Sequence, residues 1–166
     1  MRPAVLVIGC GNLLAADDAV GIHVLRRLQA EAERLPGCVL VEAGTPGLTL
    51  LQLWEGYQRV IIVDAVRSGA PPGTIHRFDG ACLPRRQVLP LCAHGINVVD
   101  ALELGRVLGQ APAQVRIVGV EIASEEAFRE GLTPAVAAAV APACDAVREE
   151  VLRMLGGEGP SGSARE

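Results

Sequence analysis

Apolar residues follow two alternating rhythms along the chain. Residues 4–8 (Ala4, Val5, Leu6, Val7, Ile8) are an unbroken apolar run that ends at the turn-forming cluster Gly9, Cys10, Gly11 and Asn12. Such a run reads as a strand buried on both faces, as in a parallel sheet. Over residues 18–34 the spacing changes: Val20, Val24, Leu25 and Leu28 share one helical face, with Arg26, Arg27, Glu31 and Glu33 elsewhere, until Pro36 and Gly37 stop the helix. Residues 38–42 predict a second strand. Thr45 and Pro46 offer an N-cap and a first-turn proline for a helix through Leu50, Leu51 and Trp54. Residues 59–64 carry Val60, Ile61, Ile62 and Val63 and predict a third strand that ends in Asp64.

After a Pro/Gly turn at residues 70–73, residues 74–78 predict a strand able to pair antiparallel at a sheet edge. Residues 79–93 are irregular, a helix follows His94 to about Leu108, residues 115–120 predict a strand, and residues 121–131 are again irregular. Thr133 and Pro134 repeat the cap-and-proline signal ahead of a helix with Val136, Val140, Cys144, Val147, Val151 and Met154 on one stripe. The alternation predicts an α/β fold: a three-layer α/β/α sandwich around a mostly parallel sheet, with one antiparallel edge strand. Residues 1–155 are expected to form a single domain, and the Gly/Ser-rich residues 156–166 a disordered tail.

Composition narrows the chemistry. The formal charge of -4 argues against a nucleic-acid partner. All 15 basic residues are Arg, so neither a Schiff-base lysine nor a phosphate-loop lysine exists. The aromatics Trp54, Tyr57, Phe78 and Phe128 are too few to build the core, which falls to Val, Leu, Ile and Ala. The five cysteines include no C-x-x-C pair, and no secretory segment or membrane-length apolar run of ~20 residues is present. A cytoplasmic location without membrane association is expected.

In a parallel sheet, sites gather beyond the carboxyl ends of strands. The loop from Gly11 to Asp18, Asp64 and His94 all fall at such ends. Two carboxylates and an imidazole suit a borderline divalent metal, which polarises a carbonyl or activates water. Each also has a bland reading. Asp17 and Asp18 suit helix capping, Asp64 suits a loop hydrogen bond, and His94 suits a helix start. Gly9, Cys10 and Gly11 fall short of a dinucleotide fingerprint because its third glycine position is Leu14. Their role is a tight turn, with Asn12 holding the loop by its side chain. Cys92 near His94 is a minor nucleophile candidate that lacks an orienting partner.

The run from Val7 through Gly9, Gly11, Asn12, Asp17 and Asp18 to Val20 and Gly21 resembles the N-terminal signature of the hydrogenase maturation protease family. Ile62, Val63, Asp64 and Ala65 are similar to its second acidic motif, and Ala93, His94 and Gly95 to its histidine motif. Gly44 to Gly47 and Gly131 to Pro134 are also similar to family segments, so the resemblance covers nearly the whole chain. It implies an endopeptidase that removes the C-terminal extension of a nickel–iron hydrogenase large-subunit precursor after nickel insertion. It further implies that Asp18, Asp64 and His94 are both the metal ligands and the catalytic residues. Asp17 is the alternative first ligand, and otherwise keeps the capping role. The nickel is expected to arrive with the precursor, the protease itself being a monomer in isolation. The irregular segments 79–93 and 121–131 are expected to contact the precursor. A non-catalytic nickel-binding assembly factor on the same scaffold stays open as the alternative.

Overall fold

The structure, a computed structural model, describes residues 5–82 and 98–156. Five strands form one sheet: β1 (Val5–Cys10), β2 (Cys38–Gly44), β3 (Arg59–Val66), β4 (Ile75–Asp79) and β5 (Gln114–Glu121), in the order β2-β1-β3-β5-β4. All pairings are parallel except β4 with β5, which places the antiparallel strand at the edge, as its sequence predicts. Among the described residues four α-helices cover the sheet: α1 (Val20–Ala30), α2 (Leu50–Leu53), α3 (Val98–Val107) and α4 (Pro134–Gly156).

Alternation along the strands creates two cores. Val5 and Val7 of β1, Ile61 and Val63 of β3, and Val118 and Val120 of β5 pack beneath α1 and α4. Leu6, Ile8, Cys10, Val60, Ile62 and Ile117 face α2, α3 and the buried Trp54. This is the predicted three-layer arrangement. Each fully buried Leu, Ile or Val contributes roughly 1.5–3 kcal/mol of transfer free energy, and both faces of the central strands are filled this way.

Local departures have physical causes. The helix predicted over 18–34 is divided into a 3-10 turn at Ala16–Ala19, α1, and a second 3-10 turn at Ala32–Arg34. Thr45 makes no N-cap hydrogen bond; Pro46 instead precedes a 3-10 turn at Gly47–Thr49, which leads into the single turn of α2. Gly156 belongs to α4 rather than to the tail, and Pro142 lies inside that helix. Residues 157–166 fall outside the described residues.

The third strand does not stop at Asp64. It continues to Val66 because β5 pairs with it as far as Val66 and Glu121. On its other side β1 pairs only from Leu6 opposite Val60 to Gly9 opposite Val63. Asp64 therefore emerges where its β1 neighbour has just turned away. After β1 the chain crosses to β2 on one side, while β3 is followed by strands on the other. The crevice between the ends of β1 and β3 is the topological switch point of the sheet, where open α/β sheets place their ligands.

Candidate active site

Glycines bring the two acidic segments together. A Cβ at Gly9 would lie 2.7 Å from the Gly21 carbonyl oxygen and 2.8 Å from Leu25 Cβ. A Cβ at Gly21 would run into the carbonyl oxygens of Cys10 and Val63. The missing side chains let α1 settle directly onto β1 and β3. Gly11, with φ +148°, would collide through a Cβ with the Asp18 carbonyl oxygen, so the loop folds back on itself only because residue 11 is glycine. Asn12 holds this return as its sequence predicts: its side-chain oxygen accepts the Leu14 amide hydrogen at 2.9 Å.

The Asn12 amide donates to Asp18 Oδ2 at 3.0 Å. Asp64 Oδ1 accepts the amide of Ala65 at 2.8 Å. Both hydrogen bonds come from the local backbone. Burial pushes the Asp64 carboxyl up; the Ala65 amide opposes this, the nearby Asp18 charge adds to it, and the result is a pKa of about 7. A shielded carboxyl that senses a second carboxylate favours a proton or a cation. Burial, reinforced by the Asp64 and Asp18 charges, drives the thiol of buried Cys10 well above its usual value. Cys10 is thus neutral at pH 7 and no ready thiolate.

Asp17 points elsewhere. It is 0 % exposed, and its Oδ2 accepts hydrogen bonds from the Ala123 and Ser124 amides at 3.0 Å each and from Thr133 Oγ1 at 2.8 Å. Its Oδ1 accepts the Thr133 amide at 2.7 Å. It caps no turn of its own segment, contrary to the sequence reading, because neither the 3-10 turn at Ala16–Ala19 nor α1 has a side-chain cap. It fastens the segment after β5 and the entry to α4 instead. With these donors occupying it, Asp17 is a poor metal ligand and Asp18 the better one.

His94 and Cys92 lie outside the described residues. The helix predicted after His94 is α3, whose described start is Val98. Among the described residues no group of three or more His, Cys, Asp or Glu gathers as a metal cluster. The donors that do meet, the Asp18 and Asp64 carboxylates, fit a divalent cation in hardness and charge but leave most of its coordination to be filled. Beside them a cleft of about 430 Å³ is lined by Gly11, Asn12, Leu13, Ile22, Glu42, Gly44 and Thr45.

Sequence reasoning missed a second buried acid. Glu121, read as the start of an irregular stretch, ends β5 at 1 % exposure. It accepts the amides of Ser68 at 2.7 Å and Gly69 at 3.0 Å, the Ser68 hydroxyl at 2.8 Å, and meets His76 Nε2 at 3.0 Å. Burial would raise its carboxyl, but these hydrogen bonds outweigh it and hold the group below its usual value. Acid after an apolar strand run was the available signal, the same one that marked Asp64.

Comparison with known proteins adds identity to this geometry. The hydrogenase maturation protease family model matches residues 22–150. The chain belongs to the hydrogenase maturation protease family. It is 32% identical to the hydrogenase 2 maturation protease of Escherichia coli over 164 residues, covering 98% of this chain and 96% of that protein. It is 31% identical to the hydrogenase expression/formation protein HoxM of Cupriavidus necator, over 92% of this chain and 76% of the relative. Among solved structures, the hydrogenase maturating endopeptidase HybD from E. coli superposes with a TM-score of 0.72 at 30% identity, covering 94% of each chain. The fold is the one this protease family uses. Among the described residues, no helix of this maturation protease is long and apolar enough to cross a membrane.

Proposed function

We propose that this maturation protease removes the C-terminal extension of a nickel–iron hydrogenase large-subunit precursor after nickel insertion, recognising the nickel held by that precursor. The observation that carries the reading is the placement of Asp18 and Asp64 at the β1–β3 crevice, where burial, with the Asp18 charge adding to it, raises Asp64 to about 7. A shielded carboxylate beside a second negative charge gains when a cation arrives, and His94 is the proposed third ligand. Nickel supplied by the substrate would polarise the scissile carbonyl or activate water.

The protein's own residues orient the reaction. The Asn12 amide fixes Asp18, the Ala65 amide fixes Asp64, and the neighbouring cleft receives the chain flanking the cut. An Asp64 oxygen left off the metal would accept a proton from the attacking water and return it to the departing amine. Water oxygen bonds to the carbonyl carbon, the carbon–nitrogen bond breaks, and the new amine keeps the proton. The enzyme works on the precursor without a resident metal, as a cytoplasmic monomer.

The test is cleavage of nickel-loaded and nickel-free precursor by wild type, Asp18→Asn, Asp64→Asn and His94→Ala. A C-terminal fragment appears only with nickel and wild type. Binding of nickel-loaded precursor without any cleavage by wild type would identify a nickel-binding assembly factor instead.

A further inference from the structure

Of the four aromatic residues, three are enclosed: Trp54 is buried, while Tyr57 and Phe78 pack against the core beneath α2 and α3. Phe128 is 93% exposed. Its backbone has φ +60°, in the left-handed region that a bulky L residue rarely adopts. A glycine there would remove both the strain and the exposed ring, so this position holds an unfavourable residue in an unfavourable conformation. Such strain is a feature of ligand clamps and binding sites.

The loop presenting Phe128 is fastened on several sides. The Ala123 and Ser124 amides are held by Asp17. The Arg129 amide donates to the Leu14 carbonyl at 3.1 Å, and the Ala16 amide donates to the Arg129 carbonyl at 2.8 Å. Arg67 binds Glu125 at 3.0 Å. Phe128 thus precedes a residue paired directly to the loop that delivers Asp18, whose Leu13 and Leu14 are also exposed. A pre-ordered aromatic loses little conformational freedom when it is covered, which is what makes such residues binding hot spots.

We infer that Phe128 is a docking anchor that inserts into an apolar recess on the folded hydrogenase precursor, seating its C-terminal segment over the Asp18–Asp64 crevice. The occupant is a folded protein surface and not the cleaved peptide alone, because the exposed Phe128 is no part of the lining of the cleft. Around the ring Glu125 is paired with Arg67 and Glu126 with Arg129, so the charge beside Phe128 is largely balanced and the contact it offers is apolar. This inference rests on the proposed protease function, and it deepens it by naming the residue that selects the partner.

The deciding experiment compares wild type with Phe128→Gly and Phe128→Ala on the nickel-loaded precursor, measuring KM, kcat, equilibrium binding and thermal midpoint. Phe128→Gly is expected to raise KM and weaken binding by about tenfold or more, with kcat within about twofold and an unchanged or higher midpoint, since the strain is released. A merely structural Phe128 would lower the midpoint together with activity, and that result overturns the anchor. Unchanged KM and binding overturn it as well. So does a wild-type protein that self-associates through this face and becomes monomeric as Phe128→Gly. Should wild type bind the precursor without cutting it, the protease reading fails alone, and the binding comparison still decides the anchor.

Discussion

Two pairs of acids sit at the same end of the sheet and behave oppositely. Asp17 and Glu121 are buried and saturated: each gathers backbone amides and a hydroxyl from segments distant in sequence. Asp18 and Asp64 are half-buried, and among the described residues each accepts one hydrogen bond, from its own local backbone. Hydrogen bonds hold the Glu121 carboxyl below its usual value, and the same kind of donor set lets Asp17 lock its neighbours in place. Burial holds Asp64 near neutrality, with the Asp18 charge adding to the rise. Adjacent residues of one sequence, Asp17 and Asp18, thus meet opposite surroundings.

The sharpest way to break this contrast is exchange of the open pair. Asp18→Asn or Asp64→Asn is expected to reduce precursor cleavage by about a thousandfold, or ~4 kcal/mol of barrier, while leaving the fold intact by circular dichroism. Retained cleavage in both would remove the distinction. Asp17→Ala is expected to act on stability instead, by about 3–5 kcal/mol, because several buried donors lose their acceptor; urea unfolding measures it. A small change there would mean that the saturated acids are dispensable.

Glu121→Gln sharpens the comparison through pH. The folded Glu121 carboxyl lies below its ordinary value of 4.5, so its ionised form contributes stability above that value and loses it as pH falls through the folded pKa. A deficit of about 1–3 kcal/mol for Glu121→Gln at pH 7 should shrink in acid below that point. Asp64 has the opposite sign. Its folded pKa of about 7 exceeds the ordinary 3.8, so the folded state binds more protons across that window, and stability of the metal-free protein falls as pH rises through it. Asp64→Asn should therefore stabilise the metal-free protein at pH 8 by on the order of 1–2 kcal/mol, with little effect at pH 4. Equal melting shifts at both pH values would show that Asp64 is not held near neutrality.

Much of the architecture is legible in the chain because it rests on local periodicity. Runs such as Val60 to Val63 can only be double-faced strands, and the stripe from Val136 to Met154 can only be a helix with one buried side. The motif residues Gly9, Gly11 and Gly21 were equally visible, although their reason was not: they are bare so that α1 and the first loop can touch the sheet. The helix boundaries were less legible, since 3-10 turns at Ala16–Ala19 and Ala32–Arg34 depend on where the chain must bend around the core.

By itself, then, the sequence determined the α/β class, the antiparallel edge, the family, and the acids worth suspecting, because apolar spacing and short motifs are properties of neighbouring residues. Only the tertiary structure decided what surrounds each acid. Asp17 and Asp18 are chemically identical and adjacent, yet Asp17 meets the amides of residues 123, 124 and 133, while Asp18 meets Asn12 and the charge of Asp64. A carboxylate's character is set by the donors and charges folded around it, and for Asp17 those come from parts of the chain more than a hundred residues away.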